Sequence, residues 1–230
     1  MNRPQIGLIS NVCSGRNKRN MADIDRVVAA CPGIRHERIC AVDGLFDILS
    51  SFAADGVDVI AVNSGDGTIQ ALLTVLLGQR PYPIVPPICV LAGGMTNMTG
   101  ADVAPRGRRD RVLRRLLELT AAGTVNRHLI HRHILRLENI EGHPPQRAMF
   151  FGAAGIVEAI RLCKAEVHSR GLSSEWANGA TLARMLGGWL VGGERRRRDL
   201  GVDMVIAVDN EPAVEGRRLL VLATTLDRLV

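Results

Sequence analysis

Three short stretches combine small residues with hydroxyls, amides and one carboxylate. They are Asn11-Val12-Cys13-Ser14-Gly15, Ser64-Gly65-Asp66-Gly67-Thr68 and Gly93-Gly94-Met95-Thr96-Asn97. Each follows an apolar run that reads as a strand. Glycines tolerate positive φ and, lacking Cβ, let a backbone approach a ligand closely. A helix opening directly after such a turn adds free N–H groups and partial positive charge, which suit phosphate. Asp66 cannot favour bare phosphate; it fits hydrogen bonds from ribose or substrate hydroxyls, or a share in holding Mg²⁺. For the middle stretch alone the competing reading is a tight turn in which Asp66 and Thr68 only cap the helix. Three such loops at the same ends of three strands favour a ligand site, because an open parallel sheet binds at that edge. No P-loop is present, Gly65-Asp66-Gly67 does not extend to the dinucleotide fingerprint, and the protein-kinase signatures are missing.

The elements that must position these loops alternate along the first half. "QIGLIS" predicts a strand, followed by a polar, basic loop. A helix is expected over Ala22 to Ala30, a strand over Ile34 to Ile39, a helix over Leu45 to Ala54 and a strand over Val57 to Val62. The last of these, "VDVIAV", is apolar but for Asp58 and reads as a strand buried on both faces of a parallel sheet. An amphipathic helix follows Thr68, then a proline-rich turn, a strand over Ile88 to Ala92 and a helix over Arg109 to Gly123. The order predicts an α/β layer structure.

From Asn126 the texture changes. "NRHLIHRHILRLENI" alternates polar and apolar residues as a half-buried antiparallel strand does, with "RAMFFGAAGI" as its partner. Helices are expected over 156–167 and 174–190, the second carrying Trp189 on an ordinary amphipathic pattern. "VDMVIAVDN" and "RRLLVLATT" then read as two strands joined by "NEPAVEG". The chain is therefore expected to hold an α/β domain over residues 1–124 and a β-rich, sandwich-like domain over 125–230. Its abrupt apolar finish, "TTLDRLV", reads as a fragment of a longer protein, since a sheet ending there leaves an unpaired edge.

Composition narrows the class. Of 230 residues 47% are hydrophobic and 23% charged, and no apolar run is long enough to cross a bilayer. The net charge of +6, almost all of it from arginine, suits anionic partners. Aromatics at 3% make stacking on single-stranded nucleic acid improbable, so no nucleic acid is expected. The run Arg195 to Arg198 reads as a solvated loop. Five scattered cysteines without a CxxC pair argue against a disulfide framework or a zinc ribbon, and fit a reducing cytoplasm. Cys13 lies in a loop where its thiol pKa could be lowered. His128, His131 and His133 alternate along one expected strand and read as a strand face rather than a metal site.

On these residues the chain resembles the diacylglycerol kinase catalytic-domain family, which includes sphingosine kinases and bacterial lipid kinases. That family shows an Asn-Pro-x-Ser-Gly loop, a Gly-Gly-Asp-Gly-Thr loop and a Gly-Thr-x-Asn-Asp loop. Here they look like Asn11 to Gly15, Ser64 to Thr68 and Gly94 to Met98. The resemblance implies an ATP-dependent lipid kinase with Mg²⁺, acting on a lipid hydroxyl at a membrane surface, from the cytoplasm and at the inner membrane face; it also admits a homodimer. It implies an ATP site in a cleft between two domains, with nucleotide contacts from Asn11, Ser14, Gly15, Gly65, Asp66, Gly67, Thr68, Gly94, Thr96 and Asn97, and Asp66 as the catalytic residue. Arg16, Lys18 and Arg19 are candidate phosphate neighbours. Val12, Ser64, Ala71, Met95 and Met98 depart from the pattern, and Ala71 and Met95 remove polar groups near the expected phosphates. The family's Asp-Gly-Glu base segment is expected beyond Val230, Asp209-Asn210-Glu211 being only superficially similar. A NAD kinase-like enzyme and a catalytically weak nucleotide- or lipid-binding module stay open as alternatives.

Overall fold

The computed structural model describes residues 6–94, 97–154, 201–209, 211–218 and 220–227. Four strands, β1 (Ile6–Asn11), β2 (Ile34–Ile39), β3 (Val59–Ser64) and β4 (Ile88–Ala92), form a parallel sheet in the order β2-β1-β3-β4. Parallel neighbours need long crossovers. These are supplied by α1 (Gly15–Arg19) and α2 (Ala22–Ala30), then α3 (Leu45–Ala54), then α4 (Asp66–Gly78). The short α5 (Met98–Val103) and then α6 (Arg109–Ala121) follow β4.

Alternation along the strands feeds two apolar layers. Ile6, Leu8, Val59, Ala61, Cys89 and Leu91 join Ile24 and Val27 of α2 and Val112, Leu113 and Leu116 of α6 in one cluster. Gly7, Ile9, Ile60 and Val62 are offset by one residue and so belong to the opposite face. There α3 and α4 pack together, burying Leu45, Leu49 and Phe52, and Ile69, Leu72, Leu73 and Leu76. All six residues of β3 are buried, as its apolar run predicts. Each fully buried Leu or Ile contributes on the order of 1.5–3 kcal/mol, so the sheet is a stiff platform for whatever stands on its rim.

The chain divides into two compact units, one running to Met149 and resuming at Thr225, the other spanning Phe150–Thr224. Within the first, β5 (Leu135–Leu137) and β6 (Gln146–Ala148) form a small antiparallel pair. The Thr74 hydroxyl of α4 accepts from Arg147 N–H at 2.9 Å, and the Gln70 amide donates to Gln146 at 2.8 Å. Arg132 pairs with the buried Asp102 of α5 at 3.0 Å and with Asp227 at 2.6 Å. Within the second unit, β7 (Phe150–Ala154) pairs antiparallel with β10 (Leu220–Thr224), and β8 (Val202–Ile206) with β9 (Val214–Arg218).

Several sequence expectations are corrected here. The long strand expected from Asn126 is a 3₁₀ turn over Val125–His128, unpaired extended chain, and only three residues of β5. None of His128, His131 and His133 therefore lies on a strand. The partner of β8 is Val214–Arg218, which spans the end of the expected connector and the first two residues of the expected strand, while the "LVLAT" strand pairs with β7. The "polar, basic loop" after β1 contains α1. The helices expected over 156–167 and 174–190, with Trp189, and the run Arg195 to Arg198, lie outside the described residues.

Two positions give measurable tests of the platform. A Cβ on Gly7 would fall within 3.0 Å of Cγ of the fully buried Phe52 ring. Gly7→Ala should therefore destabilise the fold by about 1–3 kcal/mol in urea unfolding. His36 Nε2 lies 2.9 Å from the buried Ser10 hydroxyl. Burial, then Arg38, hold this imidazole below its ordinary 6.5 against the opposing pull of Asp25 and Glu37. The folded state thus binds this proton less readily than the unfolded chain. Stability should be full above pH 6.5 and fall as pH drops towards the folded value. His36→Gln should flatten that fall in urea midpoints taken between about pH 8 and pH 5.

Candidate functional site

Strand order fixes where a ligand can sit. From the adjacent pair β1 and β3 the sheet grows outwards in opposite directions, to β2 and to β4. The loops leaving β1 and β3 thus bracket a topological switch point, the crevice where open α/β sheets bind ligands. Side chains of the two loops meet there. Asn11 Nδ2 donates to Thr68 Oγ1 at 2.9 Å, Ser14 Oγ lies 3.0 Å from Ser64 Oγ, and Asn11 Oδ1 accepts from Cys13 N–H at 2.9 Å. Ser14 precedes the first residue of α1, Gly15.

The second and third loops are joined through backbone. Gly65 precedes α4, and a Cβ on it would stand 3.1 Å from Gly94 Cα; a Cβ on Gly94 would lie 2.8 Å from Asn97 Oδ1 and 3.1 Å from Gly65 N. Neither glycine is in the left-handed region, and nor are Gly67 and Gly93. Their value is therefore close approach, not positive φ, which corrects one half of the sequence argument. Gly67 differs from the other three: a Cβ there meets nothing within 4 Å. Asn97 does adopt positive φ, at 47°, and its buried amide closes its own loop, accepting from Gly94 N–H and donating to Gly94 O, both at 2.8 Å. Met95 and Thr96 lie outside the described residues.

Asp66 has a structural occupation other than the one weighed from the sequence: it caps a helix, but not the one it opens. Its Oδ1 accepts from Thr99 N–H at 2.8 Å and its Oδ2 from Met98 N–H at 3.1 Å, capping α5 from the start of α4. Each oxygen keeps a further lone pair, and the residue is only half-buried. Its removal would strip two charge-assisted bonds, so the surface-like stability effect expected for an exposed loop carboxylate does not hold. Among the described residues no cluster of three or more His, Cys, Asp or Glu could hold a metal.

Beneath the loops sits a polar network that sequence reasoning missed. Asn17 of α1 is buried, and its amide nitrogen donates to Asn11 O and to Asn63 O, both at 2.8 Å. Its oxygen accepts from Arg109 Nη1 at 2.6 Å. Arg109 also reaches Asn63 Oδ1 at 3.3 Å, Asn20 O at 3.1 Å and the Asp23 carboxylate at 3.0 Å. Gly93 closes the far side: its N–H donates to Ser64 O, its carbonyl accepts from Arg16 N–H, and a Cβ would stand 2.6 Å from Asn63 Oδ1. A visible signal existed in Asn63, a lone amide at the end of an otherwise apolar strand. Asn17 and Arg109 had none.

Basic residues gather beside this network. A cavity of about 690 Å³ opens between α1, β4 and the start of α6, with Arg16, Arg26, Arg108 and Arg109 on its walls against Asp23. Of the three candidate phosphate neighbours, Arg16 lines it; Lys18 and Arg19 do not. Asp209 and Glu211 sit on the β8–β9 connection in the second unit.

Asn17→Ala would take one donor from each of the Asn11 and Asn63 carbonyls and one acceptor from Arg109 Nη1. We expect a loss of about 1–3 kcal/mol in urea unfolding, where Lys18→Ala, one residue along and exposed, changes stability by under about 0.5 kcal/mol. Equal effects would reduce Asn17 to a surface residue.

The diacylglycerol kinase catalytic domain family model matches residues 6–128, from β1 to the end of the 3₁₀ turn. No curated protein matches. Among solved structures, the chain is similar to a diacylglycerol kinase from Bacillus anthracis str. Sterne, with a TM-score of 0.56 and 20% identity over 98% of this chain and 66% of the other. Two further structures assigned to that enzyme class in the same organism give TM-scores of 0.59 and 0.55 at 18% and 19% identity, over 98% of this chain and 68% and 67% of theirs. The chain thus spans about two thirds of the length of these proteins, and at such identities they attest the fold. Matched over more than half of its length, with its three loops on the rim of the matched sheet, the chain belongs to the diacylglycerol kinase catalytic domain family.

Proposed function

We propose that this chain is an ATP-dependent lipid kinase that transfers the γ-phosphoryl group to a lipid hydroxyl such as that of diacylglycerol. Kinase membership follows from the family; the donor, the cation and the acceptor are our reading. The observation that carries it is Gly67. It lies in the first turn of the 13-residue α4, beside the switch point, exposed, with open space where a side chain would be. The start of a helix carries the positive end of its dipole, a setting for phosphate.

Phosphoryl transfer asks a protein chiefly for position and charge. Here α4 would hold the phosphates with its first turn, and the Asn11–Thr68 and Ser14–Ser64 bonds keep that turn in register with the first loop. Mg²⁺, when bound, supplies charge neutralisation of the phosphates, with Asp66 as its protein ligand. The acceptor oxygen bonds to γ-phosphorus as the bond to the ADP oxygen breaks. The lipid would be met at a membrane surface, which the net charge of +6 suits; among the described residues no helix is long and apolar enough to cross a membrane. Ala71, where the resemblance leads one to expect a glutamate, favours a second reading: a nucleotide-binding module with weak turnover.

Labelled γ-phosphate transfer from ATP to diacylglycerol in mixed micelles tests the proposal. Gly67→Val should abolish transfer and weaken ATP binding at least about tenfold by filling that space, while leaving unfolding within about 0.5 kcal/mol of wild type. Transfer at the wild-type rate would make Gly67 a turn residue only. ATP binding without transfer in the unaltered chain would select the second reading. Asp66→Ala, by contrast, should lose both transfer and about 1–3 kcal/mol of stability, because the same carboxylate caps α5.

A further inference from the structure

Cys13 and Cys40 are 27 residues apart in sequence and joined by a disulfide, with Cα atoms 5.1 Å apart. The pairing follows from the sheet. Asn11 and Ile39 are register partners at the ends of β1 and β2, and Val12 N–H donates to Ile39 O at 2.9 Å. The next residues, Cys13 and Cys40, are carried out of the sheet side by side, within the Cα range that disulfides require. Both are exposed. The other described cysteines differ: Cys31 is half-buried and free, and Cys89 is buried, its thiol pushed up to about 12 by that burial. The expectation that the scattered cysteines stay unpaired is thereby corrected. No spacing rule could have found a pair made by parallel strand register.

The position of the crosslink gives it a consequence. Cys13 N–H is held by Asn11 Oδ1, whose amide nitrogen bonds Thr68, and the next residue, Ser14, meets Ser64. The first loop is thus tied to α4 on one side by hydrogen bonds and to the end of β2 on the other by a covalent bond.

We propose that Cys13 and Cys40 form a thiol–disulfide exchange site, taking disulfides and thiols of the glutathione class, whose oxidation state sets the order of the loop that carries Asn11 and Ser14. Oxidation runs through two exchanges. One protein thiolate attacks a sulfur of the small disulfide and expels a thiolate; the second protein thiolate then attacks the mixed disulfide and expels the other. Two protein thiols are oxidised and one small disulfide is reduced to two thiols, which take the two protons. Two small thiols reverse it. In the crosslinked state the loop is preorganised, so a ligand that needs Asn11 and Ser14 in place is bound without the entropy of ordering them. The effect on nucleotide affinity rests on the reading given under Proposed function; the exchange site does not.

The test uses the full chain equilibrated at a series of reduced-to-oxidised glutathione ratios. After acid quench and alkylation, non-reducing digestion and mass spectrometry should show a Cys13–Cys40 peptide whose fraction follows the ratio, with Cys31 and Cys89 unlinked. Amide hydrogen exchange over residues 11–15 should quicken at least about tenfold on reduction. Cys40→Ser should show the quick exchange in either buffer, and so should Cys13→Ser, whereas Cys31→Ser should keep the wild-type response. A fluorescent ATP analogue should bind about tenfold more weakly to the reduced chain. Absence of the linked peptide at every ratio overturns the exchange site. Linked peptide with unchanged amide exchange overturns its hold on the loop. Linked peptide and altered exchange, with no analogue bound in either state, would uphold the site and sink the nucleotide reading instead.

Discussion

One buried amide holds the rim of this sheet together. Asn17 offers two N–H groups to carbonyls at the ends of β1 and β3 and its oxygen to Arg109 at the start of α6. Both carbonyls lie where the strands run out, Asn11 O also accepting from Ser14 N–H at 3.2 Å, and a buried polar group that loses a partner is expensive. A single side chain of four hydrogen-bonding positions satisfies three here, and in doing so fixes the separation of the first two loops. The third loop is fixed from the same place, since Gly93 packs its backbone against Asn17 and Asn63 with no room for a methyl group. Arg109 belongs to this constraint. Its side chain is 16% exposed and pairs with Asp23 at 18%, so much of both charges' hydration is lost. Such a pair adds little net stability but is costly to break, so its observable role is geometric: it pins α6 and α2 to the loops.

How much of this could be read from the sequence divides along physical lines. The bounds of α2, α3, β2 and β4 coincide with the predicted ones, because Pro32-Gly33, Asp55-Gly56 and the apolar periodicities are local signals. Ser64, Asp66 and Thr68 were legible as one end of a strand and one start of a helix. What joins them to Asn11 and Ser14 was not, since sequence separations of 50 and 57 residues carry no pattern of their own. The β-rich texture after Asn126 was recognised, but alternation alone cannot choose partners. The β8 strand pairs with the polar Val214–Arg218 and not with the apolar Leu220–Thr224, a choice settled by packing that composition does not display.

The glycines were read correctly as to place and only in part as to reason. Three of the four described loop glycines, Gly65, Gly93 and Gly94, are required by neighbouring protein atoms, and only Gly67 faces open space. Within one motif, adjacent small residues thus answer to different demands: one to the fit of two loops, another to access from outside.

The contact between Gly65 and Gly94 has a consequence for reading diverged relatives of this chain. A Cβ on Gly94 would run into the Gly65 backbone, and one on Gly65 would press on Gly94 Cα at 3.1 Å, so neither position readily takes a larger residue. A lineage that lost phosphotransfer altogether would still be held to glycine at both, for as long as it kept the fold. Persistence of that pair in a sequence is therefore a record of steric coupling between loops and says nothing about turnover. The letter free to drift is Gly67, where a bulky residue meets no protein atom and the fold imposes no glycine.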